Sequence, residues 1–499
     1  MLITVPGHGI CKTQQGETIL AALARSGIVF QAPCGGQGTC GKCLVTLLDG
    51  QVQLNNTPEN PKPGESFRAC MGTAVSDISI KLPDEGTIET TEILHKKNSA
   101  GKIRRAGVGI DIGTTTIQAE LIDLDTETPL ETLTVFNAQR VFGADVMSRI
   151  NAAKQGHTKD LHRAVNSQIE NILRHFISAW NLREIELCTV SGNTAMLHLF
   201  TGIDPSGMGE APFTPVFLEE KHIAGKELSI SAKEVIVLSG ISAFVGADIV
   251  SGLAFLNIAH NSDSLFVDIG TNGEMALWKQ AEQTLLCCSV AAGPCFEGAG
   301  ISCGMGALPG AINRIYPDVS LSGALRYTTL GDIPPRGICA SALVDAIAVM
   351  NSLSVIDETG ALKDEYAQTG FPLAEGIAVT QADIRQFQLA KSAICSGIIL
   401  LCKKAGLENP GKLETAYISG GIGLYINLDN AVSVGLFPPE FVRMKETAIC
   451  GNTSLKGAVR SLTDTTLLQR CREIIAKSQT VELAANSDFS EAFMENMFF

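Results

Sequence analysis

The chain has 499 residues, 45% hydrophobic and 18% charged, which suits about three domains around a sizeable core. A net charge of −14 argues against a nucleic-acid partner, and no apolar run reaches the length needed to cross a bilayer. Aromatic residues are only 5% while Gly numbers 49, the profile of an α/β protein with many tight turns. The 15 cysteines, in a long chain whose start lacks the pattern of a signal peptide, point to metal or redox use in the cytoplasm and not to a disulfide framework.

Residues 1–84 read as a separate small domain. Leu2–Val5 and Gly9–Lys12 form a predicted hairpin, and Thr18–Gly27 a short helix with Leu20, Leu23 and Ala24 on one face. Cysteines then follow as Cys34-x5-Cys40-x2-Cys43, with Cys70 further on in Phe67-Arg-Ala-Cys-Met71. Three thiolates on a glycine-rich loop and a distant fourth suit a 2Fe–2S cluster, because glycines let backbone N–H groups close on the sulfides. Zinc is the alternative, but zinc sites usually pair two short Cys-x-x-Cys knuckles and only one is present. The x5 spacing is more similar to the adrenodoxin-type ferredoxins than to the x4 spacing of plant-type ones. Cys11 lies outside the spacing and is expected to be a small core residue.

Residues 85–105 are polar and weakly periodic. They read as a linker that lets the cluster domain swing between electron donor and acceptor, or as a static connector packed on the surface.

The rest of the chain is organised around Gly107-Val-Gly-Ile-Asp-Ile-Gly-Thr-Thr-Thr-Ile-Gln-Ala-Glu-Leu-Ile-Asp-Leu-Asp125. Two apolar strands flank a turn of small hydroxyl residues, whose N–H groups and hydroxyls suit phosphate oxygens. Asp111 is placed to hold Mg²⁺ or orient a water. The dinucleotide-binding reading is weaker, since Gly107, Gly109 and Gly113 are spaced one residue too wide and β-type residues follow.

Downstream, Asp160–Trp180 carries helical periodicity, and Thr189–Phe200 reads as strand, turn and helix start. His198 is expected to pack and not to catalyse. Leu238–Gly252 repeats the strand-to-helix form, with Asp248 placed to cap the helix or to face the cleft, capping being favoured. The tetrapeptide Asp111-Ile-Gly-Thr then recurs as Asp268-Ile-Gly-Thr between apolar runs, which suggests a duplicated fold with a phosphate loop in each half. Cys287, Cys288, Cys295 and Cys303 match no common ligand spacing and read as buried thiols, while Glu297-Gly-Ala-Gly is placed to approach a nucleotide. Helices are expected over Ala340–Leu353, Asp383–Ala405 and Ser461–Lys477. A third glycine cluster, Tyr417-Ile-Ser-Gly-Gly-Ile-Gly423, follows an apolar strand, and a phenylalanine-rich tail lies beyond Ala484.

The three glycine motifs resemble the superfamily of acetate and sugar kinases, heat-shock chaperones and actin, over roughly residues 106–475. That resemblance implies a first phosphate loop of Asp111, Gly113, Thr114 and Thr115, and a second of Asp268, Gly270 and Thr271. It places adenosine at Gly420, Gly421 and Gly423, and implies ATP and Mg²⁺ with Asp111 and Asp268 as the catalytic carboxylates.

A ferredoxin-type domain joined to such an ATPase resembles, over the whole chain, the reductive activators of corrinoid-dependent methyltransferases. Val190–Leu199, Ala291–Cys303, Ala390–Ile394 and Gly451–Ala458 carry this likeness. It implies an α/β protein with an N-terminal β-grasp 2Fe–2S ferredoxin domain at 1–84, held by Cys34, Cys40, Cys43 and Cys70, and a linker at 85–105. A two-lobed actin-like ATPase of duplicated ribonuclease H-like fold follows, with lobe I at 106–260 and lobe II with its tail at 261–499. Some members carry a further domain between ferredoxin and ATPase, for which residues 85–105 leave no room. The implied reaction is ATP-dependent one-electron reduction of a corrinoid protein from Co(II) to Co(I). The implied partners are that corrinoid protein and a low-potential electron donor, with a homodimer left open and no nucleic acid or membrane. The rival reading is a nucleotide-gated, redox-sensing module that clamps a partner without driving electron transfer.

Overall fold

The computed structural model describes residues 1–7, 9–26, 28, 36, 38, 43–55, 60–82, 90–93, 103–260, 262–317, 325–422, 425–483 and 486–499. By packing they fall into two compact units, Met1–Ser239 with Ala458–Thr465, and Gly240–Gly457 with Thr466–Phe499. The division falls ahead of the limit at 260 read from the sequence, and the ferredoxin-type domain shares a unit with the first lobe.

The amino-terminal sheet runs Gly9–Lys12, Leu2–Val5, Ile78–Lys81, Leu44–Asp49, Ser66–Arg68. Alternation builds it: Ile3 and Val5, Val45 and Leu47, Ile78 and Ile80 are buried, and the residues between them are more exposed. The helix Ile19–Arg25 starts at Thr18, whose hydroxyl oxygen accepts from Ala21 N at 3.2 Å. It closes the core with Ile19, Leu20 and Leu23, and Cys11 is buried in the same core.

The next two sheets share one plan. In the first unit the strands run Thr128–Phe136, Thr116–Asp123, Ala106–Ile112, Ile185–Gly192, Ala232–Val237. In the second they run Thr284–Val290, Gly273–Lys279, Ser264–Ile269, Thr415–Ser419, Glu446–Gly451. In each, an antiparallel meander is followed by a parallel strand on the other side of the first, the duplicated ribonuclease H-like arrangement. Strand Thr116–Asp123 shows the amphipathic alternation, with Ile117, Ala119 and Leu121 fully buried. Gly107 and Gly109 are explained by packing and not by a cofactor. A Cβ on Gly109 would lie 2.5 Å from Val459 Cγ2, so the chain at Val459 needs that face bare.

Thr90–Ile93, inside the stretch read as a linker, is a strand antiparallel to Thr128–Phe136 at the edge of the first sheet. The linker reading is corrected for these residues. A β-prone segment covers a sheet edge that would otherwise expose unpaired backbone groups. Most of the remaining stretch lies outside the described residues.

Helices fall close to their expected places, at Thr158–Trp180, Thr194–Thr201, Ala340–Ser352 and Gln381–Lys404. The stretch expected at Ser461–Lys477 is helical over Thr465–Lys477, and Ser461 ends a preceding helix, Thr453–Ser461. Asp248 is not a cap; it sits in the first turn of Ala247–Phe255, whose cap is Gly246. His198 is fully buried, with Nδ1 2.7 Å from Thr194 O and Nε2 accepting from Val216 N at 3.0 Å. Both ring nitrogens are thus used by the neutral tautomer that donates from Nδ1, and burial lowers its pKa, as a packing role requires. No described helix is long and apolar enough to cross a membrane.

The tail forms a helix, Ser487–Glu495, packed on Gln381–Lys404. Lys391 fastens it: the buried Nζ donates to Asn496 O at 2.7 Å and to Phe498 O, with the Phe499 ring 4.8 Å away. Burial lowers the Lys391 pKa to about 8. Above that, up to the unfolded value of about 10.4, the unfolded chain keeps a proton the folded chain has released. This group therefore adds stability as pH rises, by about 1.4 kcal/mol per unit. Buried thiols such as Cys395 and Cys402, pushed up to about 12, act in the opposite sense. The lysine is thus read by difference: the melting temperature of wild type minus that of Lys391→Met should rise from about pH 7.5 to about pH 9.5. A gap that stays flat over that range would exclude a lowered Lys391 pKa.

Candidate functional site

The first Asp-Ile-Gly-Thr sits where the strand Ala106–Ile112 ends. Asp111 pairs across the sheet with Gln118 on one side and Ser191 on the other. Beyond it the chain turns through Gly113, Thr114 and Thr115, and both threonines are buried. The carbonyls of this turn are tied inward. Asn137 Nδ2 donates to Gly113 O at 2.8 Å, and Asn137 N donates to Thr115 O at 2.8 Å. Arg149 Nη2 donates to Thr114 O, and Asn193 Nδ2 donates to Thr114 Oγ1 at 3.1 Å. In a trans peptide N–H points opposite to C=O, so the amides of Thr114 and Thr115 face away from the donors that hold the carbonyls before them.

The second Asp-Ile-Gly-Thr ends the strand Ser264–Ile269, and Asp268 lies between Glu274 and Ser419 in the sheet. Ser419 Oγ is 2.7 Å from Asp268 Oδ2 and 2.7 Å from Thr453 Oγ1. With its single proton, it donates to the carboxylate and accepts from Thr453. Thr271 donates to Glu297 Oε1 from N at 2.8 Å and from Oγ1 at 2.9 Å. Glu297 therefore does approach this loop, and its carboxylate oxygen sits on donors suited to a phosphate oxygen. Burial first, then the charges of Asp248 and Asp268, push the Glu274 carboxyl well above the usual carboxylate range.

The duplication extends beyond the tetrapeptides. Ser191-Gly192 stands to Asp111 as Ser419-Gly420 stands to Asp268. A Cβ on Gly192 would meet Ile112 O at 2.7 Å, and one on Gly420 would meet Ile269 O at 2.3 Å. Both glycines have positive φ, 156° and 92°, and each presses on the carbonyl just before a loop glycine. Gly421 is exposed with open space around it, and Gly423 lies outside the described residues.

Cys43 and Cys70 are buried in the amino-terminal core with their Sγ atoms 3.2 Å apart. Two thiols converging from separate segments supply half of the four-thiolate donor set of a 2Fe–2S cluster, so the described residues fit that group. Cys34 and Cys40 lie outside the described residues. In the second unit Cys287, Cys288 and Cys295 are deeply buried, and burial raises their thiol pKa values, Cys287 to about 12. Such thiols stay protonated and inert, while Cys303 is only partly buried. The sequence did not point to Asn137, Arg149 or Ser419. The Ser-Gly pair common to 191–192 and 419–420 was the signal that could have found the last of these.

A cysteine-bearing β-grasp domain joined to a duplicated ribonuclease H-like core, with one Asp-Ile-Gly-Thr loop per lobe, defines a ferredoxin-linked ATPase of the actin-like class. Family profiles agree along the chain: a 2Fe-2S iron-sulfur cluster binding domain at 4–74, the RACo middle region at 106–261, and the C-terminal ASKHA domain of RACo at 262–499. The corrinoid activation enzyme RamQ of Eubacterium limosum is 31% identical over 97% of this chain and 96% of its own. The Co(II) methylated amine-specific corrinoid protein reductase of Methanosarcina barkeri is 27% identical over 78% of this chain and 76% of its own. A solved reductive activator for a corrinoid, iron-sulfur protein is 27% identical, with a TM-score of 0.74 over 100% of this chain and 98% of that one. The chain belongs to the RACo family of corrinoid-protein activators.

Anaerobically purified protein is expected to hold about two irons and two sulfides per chain. Cys43→Ser should lose most of that iron while ATP binding stays near wild type. About four irons, or one zinc and no iron, would overturn the cluster assignment.

Proposed function

We propose that the chain reduces the Co(II) form of a corrinoid protein to Co(I), with ATP supplying the driving force. One observation carries the reading: a ferredoxin-type core with convergent cysteines and two Asp-Ile-Gly-Thr loops occur in one chain. When bound, the 2Fe–2S group supplies single electrons at low potential, about −400 mV for plant-type centres. Co(I) corrinoids are generally harder to reach than that, and one factor of ten costs ~59 mV or ~1.4 kcal/mol. About 5 kcal/mol from the nucleotide therefore covers about 200 mV.

In this reading Cys34, Cys40, Cys43 and Cys70 hold the cluster. Asp111 and Asp268 position Mg²⁺ and the attacking water. Gly113, Thr114, Thr115, Gly270 and Thr271 bind phosphates, supported by the inward-held carbonyls of the first loop. Gly420, Gly421 and Gly423 back the adenosine, supported by the close approach of Gly420 to the second loop. The division by role is ferredoxin-type 1–84, connector 85–105, lobe I 106–260 and lobe II 261–499. The electron donor must itself be of low potential, and a reducing cytoplasm suits a chain whose described cysteines form no disulfide.

The test is spectrophotometric, under strict anaerobiosis, with a cognate Co(II) corrinoid protein. Reductant and ATP together should convert Co(II) to Co(I). Reductant alone should reduce the cluster and leave Co(II) in place. Equal Co(II) reduction with and without ATP would overturn the reading in favour of a redox-sensing clamp.

A further inference from the structure

The short turn Ala138–Val141 reaches both chemistries of the first unit. Its cap, Asn137, is fully buried and bonds Gly113 O and Thr115 O, as described above. Arg149, which donates to Thr114 O, also places Nη1 3.5 Å from Gln139 Oε1 inside the turn. At the other end, Val141 packs on the ferredoxin-type core. A Cβ on Gly36, in the cysteine loop, would lie 3.7 Å from Val141 O and 3.9 Å from Cys70 Cβ. The helix Ile19–Arg25 also lies against the turn.

The turn is braced along its length. Asn137 Oδ1 accepts from Gln139 N at 2.9 Å, Phe142 N donates to Gln139 O at 2.9 Å, and Gln139 Nε2 donates to Leu161 O at 3.0 Å. A segment bonded this way shifts as a unit, so displacement at Asn137 is delivered at Val141. The potential of a thiolate-held cluster responds to hydrogen bonds and solvent around its sulfurs, which is what a shift beside Gly36 and Cys70 alters.

We propose that the Asn137–Val141 turn couples nucleotide on the first Asp-Ile-Gly-Thr loop to the electronic state of the cluster. The proposal rests on that loop binding phosphate and on the cysteines holding the cluster. It goes beyond them by making cluster and nucleotide thermodynamically linked within this chain, before any corrinoid partner is present. Linkage is reciprocal: if nucleotide shifts the cluster's potential, reduction of the cluster changes nucleotide affinity by the same free energy.

The experiment uses the full-length holoprotein without partner. Affinity for a non-hydrolysable ATP analogue is measured by calorimetry on oxidised and dithionite-reduced protein, and the cluster potential by spectroelectrochemistry with and without the analogue. The expected result is an affinity change of about fivefold, matched by a potential shift of about 40 mV at ~59 mV per factor of ten. Val141→Ala alters no phosphate-loop residue and no cysteine, and should keep binding and the visible spectrum while losing the coupling. Val141→Ile should retain it. Asn137→Ala should weaken both binding and coupling. Equal affinities in the two redox states, with binding intact, would overturn the coupling and leave the phosphate-loop reading standing. Coupling that survives undiminished in Val141→Ala and Asn137→Ala would overturn the role of this turn. Failure of the wild type to bind the analogue in either state would overturn the phosphate-loop reading, and the coupling with it.

Discussion

Asp268→Ala should lower ATP hydrolysis by about 10²–10³-fold and leave the visible spectrum of the cluster unchanged. The carboxylate ends a central strand, where Ser419 Oγ donates to it at 2.7 Å and Thr453 orients that hydroxyl in turn. It is thus fixed in direction, as positioning of a metal or a water demands. Charge and shape are separable. Asp268→Asn keeps an acceptor for Ser419 but removes the charge, so it should be nearly as inactive as the alanine variant. Ser419→Ala frees the carboxylate from its orienting bond without neutralising it, and about a tenfold loss is expected. Asp111→Ala should behave like Asp268→Ala, since Asp111 holds the equivalent place beside Ser191. Phosphate release at saturating ATP measures all of these, with iron content as the control for folding. Hydrolysis at the wild-type rate in both alanine variants would mean that the phosphate loops lie elsewhere.

The duplicated core was legible because its signal is local. Alternation in Thr116–Asp123 and an identical Asp-Ile-Gly-Thr ending each lobe's first strand are both visible without pairing information. The cluster cysteines were legible for the same reason, since their spacing is itself the motif. What escaped were contacts between segments far apart in the chain. Asn137 looks like any turn residue until its amide is found on Gly113 O. The spacing of Gly109 argued against a dinucleotide fingerprint but could not say why a glycine stands there; the bulk it avoids belongs to Val459, hundreds of positions away. The linker reading failed for Thr90–Ile93 because the partner strand, not local composition, decides whether such a segment is extended. Asp248 read as a cap because it stands near a helix start, but the helix begins two residues earlier than that would require, after Gly246.

Arg149→Met should be the most destabilising single change at the first loop. The side chain is fully buried, and its guanidinium spans segments that no shorter group joins. Nε donates to Gly143 O at 3.0 Å and Nη2 donates to Thr114 O, while Met196 Sδ lies 3.0 Å from Nη1. Methionine fills much of the volume but leaves those two carbonyls without their donor, at about 1–3 kcal/mol each. Against this stands the desolvation of a buried cation, which the substitution relieves. The unpaired carbonyls should win, because the guanidinium satisfies several groups at once, and a net loss of about 3 kcal/mol is expected. In a unit of this size that corresponds to a melting point lower by about 6–12 °C. Function should suffer separately from stability. With Thr114 O no longer held inward, the loop's amides lose their common direction, and ATP affinity measured well below the melting point should fall by about tenfold or more. Arg149→Lys should not restore it, since a single ammonium cannot reach Gly143 and Thr114 in the same fork geometry. Wild-type ATP affinity in Arg149→Met, together with an unchanged melting point, would show that the first loop holds its shape without this residue.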